Sequence, residues 1–340
     1  MSRGGQAHPA RKLRRSDSFR IMADTRTDAD RSTHAAVPDP RNDTVEIFIN
    51  GEFFPRPEAK ISVFDSGFLV GDGIWEGLRL HEGHFAFLDR HLDRLEAGAA
   101  ATSLDIGPRS GIVEALYATV ERNSMVDDVH VRLMVTRGDK KTPSQHPSNV
   151  IGGPNMVIIA EHKKADPAVI DAGLDLFTAT VRRPPPDTLD QRLNCHSKLH
   201  EVIALIQAVN AGADEALMLD PTGAVATCNA TNFFIATGGE LWTSTGHYNL
   251  HGITRAVVLE AAEADGITTR QTPFSLTDVY AADEAFATGT FGGLTPVRTV
   301  DGRTIGNGDT TMIDRLRNLY LGAVEADIAR QIKAATGATP

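Results

Sequence analysis

The chain has 340 residues, 41% of them hydrophobic and 23% charged, with a formal net charge of −10. This is ordinary globular composition, long enough for two domains of roughly 150 residues each, and it excludes collagen-like, coiled-coil and wholly disordered chains. No apolar run reaches the roughly 18 residues that a membrane-spanning helix needs, and the acidity argues against general nucleic-acid binding. The two cysteines, Cys195 and Cys228, cannot build a disulfide framework and form no CxxC pair for zinc, so a reduced, cytoplasmic setting is expected.

The charge is uneven. Arg3, Arg11, Lys12, Arg14, Arg15 and Arg20 face only Asp17 within residues 1–22. This basic start lacks the apolar stretch of a secretory signal. Residues 1–44 show little apolar periodicity and are expected to form a disordered basic tail. Val45–Phe54 reads as two strands around Asn50-Gly51, a strong short-range hairpin signal. A strand is predicted at Ile61–Phe64, followed by a glycine-rich stretch, Gly67 to Gly77. Leu92, Leu95 and Ala99 recur at three and four, predicting a helix over 89–102; a second helix is predicted over 112–123. Strands are expected at His130–Thr136 and Asn155–Ala160. Residues 163–170 are taken as a linker between an N-terminal α+β domain (45–162) and a C-terminal domain (171–335). In that second domain the pattern predicts strands at 174–181, 215–219, 232–235, 240–243 and 283–287. Helices are predicted at 200–211, 252–264 and 314–336. There is no internal repeat, and strands mixed with helices in both halves predict an α+β or α/β two-domain fold.

Three stretches carry the chemistry of an anion site. Gly252-Ile253-Thr254-Arg255 lies where a loop enters a helix, so backbone N–H groups meet a hydroxyl at the positive end of the helix dipole. Thr288-Gly289-Thr290-Phe291-Gly292-Gly293 follows a strand and offers hydroxyls beside glycines. His91-Leu92-Asp93-Arg94 puts an arginine, suited to forked contacts with phosphate, on a helix. Together they imply a phosphate-bearing ligand.

At these stretches the chain resembles the class IV (fold-type IV) pyridoxal-phosphate aminotransferases, over about residues 45–325. The family's N-terminal signature is matched by Phe64-Asp65-Ser66-Gly67, by Gly71 through Arg79, and by His91 through Leu95. The C-terminal signature is matched by Ala213-Asp214-Glu215-Ala216, Gly223 through Phe234, Gly252 through Arg255, and Thr288 through Val297. The match includes branched-chain and D-amino-acid aminotransferases; His130 through Gly138 is similar to the D-amino-acid branch. The resemblance implies pyridoxal 5′-phosphate, an amino acid and a 2-oxo acid as substrates, and a homodimer. It assigns the cofactor phosphate to Arg94, the Ile253 and Thr254 amides and Thr290. It assigns pocket lining to Trp75. By the same resemblance, a loop of the partner subunit brings His146 to the substrate carboxylate. Ser144 stands near the arginine that accompanies that histidine in relatives, leaving Arg132 and Arg137 as substitutes.

Two positions depart from the pattern. The Schiff-base lysine position falls at Arg192 or within two residues after it, and Gln191-Arg192-Leu193-Asn194 holds no lysine. A guanidinium stays protonated and forms no Schiff base. The carboxylate that relatives set against the pyridine nitrogen is replaced by Thr227. Three readings follow: Lys198 takes over as the catalytic lysine; the site binds a phosphorylated compound without a Schiff base, with a lyase or binding role; or His196 and His200, spaced i, i+4, form a metal site on a helix face.

Overall fold

The computed structural model describes residues 31–336. The N-terminal half is a six-stranded antiparallel sheet backed by two helices. Its strands run in the order Glu52–Pro55, Glu46–Ile49, Asn155–His162, Val129–Thr136, Gly73–His81, His84–Phe85. Asn50 and Gly51, both at positive φ, turn the first hairpin, as the Asn-Gly pair predicts. Helices Leu88–Thr102 and Arg109–Arg122 cover one face. Their Leu92, Leu95, Ile112 and Leu116 pack on Ile74, Leu78, Val131 and Leu133 of the sheet. Strand periodicity decides what faces the other way. In Val129–Thr136 the odd-numbered residues are buried in this core, which turns His130, Arg132 and Met134 to the opposite face.

The C-terminal half is a mixed nine-stranded sheet centred on Gly293–Val300, with Leu174–Thr178 parallel on one side and Glu284–Gly289 antiparallel on the other. The helix Ile253–Ala264 and the long helix Thr311–Thr336 pack against it, burying Val258, Leu259, Ile313 and Leu316 on Phe234 and Phe286. Among the described residues, no helix is long and apolar enough to cross a membrane.

Two expectations are corrected. Ile61–Phe64 is a turn, not a strand: no strand ladder forms along it, although the Phe64 carbonyl accepts from the Lys140 amide at 3.0 Å, and Ile61, Val63 and Phe64 are exposed. The expected tail of residues 1–44 is ordered from residue 31, while residues 1–30 lie outside the described residues. Ala36–Val37 pairs with Lys164–Ala165, within the expected linker. Thr33 donates from its backbone N–H (2.6 Å) and its hydroxyl (2.5 Å) to the buried carboxylate of Glu215. A Cβ on Gly292 would come within 2.9 Å of the Thr33 carbonyl, so glycine there admits the segment against the C-terminal sheet.

Candidate active site

A cleft of about 320 Å³ opens between the halves, lined from both. At one end lies the start of the helix Ile253–Ala264. An α-helix leaves its first amides without intrahelical partners, and Gly252 at the cap position brings no side chain to satisfy them. The loop is held close by necessity: a Cβ on Gly252 would sit 2.2 Å from Asn232 Oδ1. Thr254 and Thr290 line the same end, together with Thr231 and Thr288, whose hydroxyl oxygens are buried without a protein partner. Orphan amides and hydroxyls at a helix N-terminus make an anion seat.

Arg94 completes this end, but it is not a free cation. Its guanidinium donates to both oxygens of Glu76, at 2.8 and 2.6 Å, and to the His251 carbonyl at 2.9 Å. Glu76 has no exposed surface and is also 2.7 Å from His91 Nδ1. Burial pushes the Glu76 carboxyl up; the charges and hydrogen bonds of Arg94 and His91 outweigh it, so its pKa stays below the ordinary value. The resulting triad fixes the direction of the arginine.

The other end is built by residues 194–201 and by the sheet strands. Lys198 caps the helix Leu199–Asn210 and lines the cleft, its Nζ 3.4 Å from Glu201 Oε1. Glu201 also accepts from Arg183, at 2.5 Å. Asn194 is buried in the wall, its Nδ2 donating to the Trp75 carbonyl at 2.7 Å. Trp75 lines the cleft as expected, its indole N–H bonded to the Cys195 carbonyl and its ring 4.1 Å from the Arg132 guanidinium carbon. His130 stands beside Arg132; burial first, then the nearby Lys163, His34, Arg79 and Arg132, pushes its pKa well down, so it is neutral. Thr227, 3% exposed, donates its hydroxyl to the Thr231 carbonyl at 2.6 Å. Cys228 lies behind it, with its thiol pKa pushed up by burial, an inert side chain.

Five sequence-derived candidates fall elsewhere. Arg192 is mostly exposed and forks onto Asp190 of its own turn; of the window Arg192–Asn194 it is Asn194 that reaches the cleft. Arg137 is a clamp, held by both oxygens of Asp72 and by the carbonyls of Thr102 and Ser103. His146 is on an exposed loop and outside this chain's own cleft, accepting from the Ser148 amide. His196 and His200 do not share a helix face, because the helix starts only at Leu199. His196 turns into a neighbouring cavity beside Asp65 and Gly67, whereas His200 bonds Gln191 at 3.1 Å. Among the described residues no group of three His, Cys, Asp or Glu side chains is placed to hold a metal. Sequence reasoning missed Glu76, Arg183, Glu201 and His34, the last brought into the lining by the ordered segment before residue 45.

The fold and cleft are those of a two-domain fold-type IV enzyme. The class IV amino-transferase pattern matches residues 73–300, and the chain belongs to that family. It is 39% identical over 289 residues to branched-chain-amino-acid aminotransferase-like protein 2 of Arabidopsis thaliana, covering 84% of this chain and 51% of that one. The chain thus spans about half the length of this curated relative. It is 30% identical over 268 residues to a D-alanine aminotransferase of Listeria innocua, covering 78% of this chain and 90% of that one. The crystal structure of the T.th. branched-chain amino acid aminotransferase with pyridoxamine 5′-phosphate superposes with a TM-score of 0.77 at 29% identity, covering 84% of this chain and 95% of that one.

Proposed function

We propose that the cleft binds pyridoxal 5′-phosphate and transfers an amino group between an amino acid and a 2-oxo acid. The observation that carries this is the meeting of an anion seat and Lys198 in one cleft. The residues fit the group at its phosphate end: a helix start without a side-chain cap, two orphan hydroxyls, Thr290 and a directed arginine. When bound, the cofactor supplies a carbonyl that takes up the amino group and a ring that withdraws electrons from the substrate α-carbon.

The chain's own residues do the rest. The amides of Ile253 and Thr254, with Thr290 and Arg94, hold the phosphate. Lys198 Nζ moves the proton at the substrate α-carbon. Arg132, spread over the Trp75 face, holds the substrate carboxylate. Thr227 gives the ring nitrogen a neutral partner in place of a carboxylate, because its own proton is committed to Thr231. Turnover with ordinary amino acids is therefore slow.

The working unit is a homodimer. On the helix Leu199–Asn210, Leu199, Val202, Ile203, Ile206 and Val209 are all exposed and lie along one stripe, and Val63 and Phe68 are exposed on the N-terminal half. A second copy covers this surface, and with it His146 reaches the partner's cleft. Two buried, unpaired cysteines are consistent with a cytoplasmic setting. The test is single-turnover conversion of bound pyridoxal 5′-phosphate by a panel of L- and D-amino acids, followed by absorbance. Loss of a proton-transfer group lowers such rates by roughly 10²–10⁴, so Lys198→Ala abolishes conversion on the parent's timescale. Unchanged conversion by Lys198→Ala, or none by the parent, rejects the proposal.

A further inference from the structure

We infer that Asn194 Oδ1 is the seat of a ligand amino group, so that the cleft holds the amine form of its phosphorylated ligand through a hydrogen bond and without a covalent link. This rests on the reading of the cleft as a pyridoxal-phosphate site.

The side chain has no freedom to point elsewhere. The Trp75 amide donates to the Asn194 carbonyl at 2.9 Å, Asn194 Nδ2 donates to the Trp75 carbonyl at 2.7 Å, and the His196 amide donates to Gly73 at 2.9 Å. The whole turn is thereby stitched to the strand Gly73–His81. Because the partner of the amide nitrogen is a carbonyl, which only accepts, the assignment of nitrogen and oxygen follows from the bonding. Oδ1 is then left buried with no donor in the protein, on a residue that is 6% exposed and lines the cleft. Buried polar atoms are otherwise nearly always paired, and leaving an acceptor bare is costly. Its donor is therefore the ligand.

The chemistry of that acceptor selects between two ligand forms. An aldehyde presents oxygen, so acceptor would face acceptor. An amine or ammonium presents N–H. An amide nitrogen does not attack a carbonyl, so the contact at Asn194 is non-covalent. The carbonyl form is served instead by Lys198. The two residues divide the two forms between them.

The test is equilibrium binding of pyridoxamine 5′-phosphate and pyridoxal 5′-phosphate to the full chain by calorimetry. It is done in the Lys198→Ala background, which removes covalent capture of the aldehyde. One hydrogen bond corresponds to roughly 2- to 12-fold in affinity. The expected result is a preference of that size for pyridoxamine 5′-phosphate, kept in Lys198→Ala/Asn194→Asp, which retains the acceptor, and lost in Lys198→Ala/Asn194→Ala. Equal affinity for the two compounds, or a preference that survives Asn194→Ala, overturns the inference, as does failure of Lys198→Ala to bind either compound. A preference of the expected kind in a parent that transfers no amino group sinks the proposed function and leaves this assignment standing; transfer without the preference does the reverse.

Discussion

Arg94 has two roles, and its removal separates them. It lines the anion end of the cleft, and it also neutralises Glu76, which has no exposed surface. Arg94→Ala leaves that carboxylate with His91 alone. Breaking a buried pair by deleting one partner costs about 3–5 kcal/mol, because the remaining charge keeps its desolvation penalty and loses its compensation. Under the proposed function the same change also removes a charge-assisted contact to the ligand phosphate, about 1.5–3 kcal/mol or roughly 10- to 150-fold in affinity. The double variant Glu76→Gln/Arg94→Met removes both charges, keeps a hydrogen-bonding group for His91 and refills the arginine's volume. It is expected to recover most of the stability and none of the affinity. Urea unfolding followed by far-ultraviolet circular dichroism reads the first, and titration with pyridoxal 5′-phosphate well below the unfolding midpoint reads the second. Arg94→Ala within about 1 kcal/mol of the parent refutes the triad's structural role. Recovery of affinity in the double variant refutes Arg94 as a phosphate ligand.

Further outcomes follow from the same geometry. Glu76 has its pKa depressed in the folded chain, so its contribution to stability is complete above its ordinary value of 4.5 and is lost as pH falls through the lower, folded value. The acid limb of a pH–stability profile therefore flattens in Glu76→Gln, and an unchanged limb contradicts this. Arg192→Lys leaves activity and cofactor binding as in the parent, since that side chain is on the surface with Asp190; gain of activity by this variant places the site wrongly. Thr227→Glu puts an anion within reach of the ring nitrogen and raises a nearby cation's pKa by roughly one to three units, so turnover rises, and a fall in a folded, cofactor-binding variant counts against the assignment. Val202→Asp/Ile206→Asp interrupts the exposed stripe of the helix Leu199–Asn210 and yields monomers in light scattering; an intact dimer sends the interface elsewhere.

The anion end was legible in the sequence because each of its parts is local. A glycine at a helix start, a threonine-glycine turn after a strand and an arginine on a helix announce themselves within a few residues. What they meet is not local. Glu76 lies on a strand 18 positions from Arg94, and only the packing of helix on sheet shows that the arginine is already paired. The segment before residue 45 has the composition of a tail; its order comes from Thr33 finding Glu215, 182 positions away. The metal reading of His196 and His200 depended on extending the helix by one turn. Ser197 and Lys198 instead finish a turn stitched to the neighbouring strand, which sends the two imidazoles apart. Counting placed the missing lysine within Arg192–Asn194, but burial, which sequence does not give, singles out Asn194.

The proposed amino-group transfer depends on Lys198 as the amine that meets the carbonyl. Incubating the full chain with pyridoxal 5′-phosphate, reducing with borohydride and mapping the digest by mass spectrometry tests this directly. A phosphopyridoxyl group is expected on Lys198, absent from Lys198→Ala and diminished in Arg94→Ala. A modification confined to another lysine, or its persistence at parental level in Lys198→Ala, contradicts the assignment.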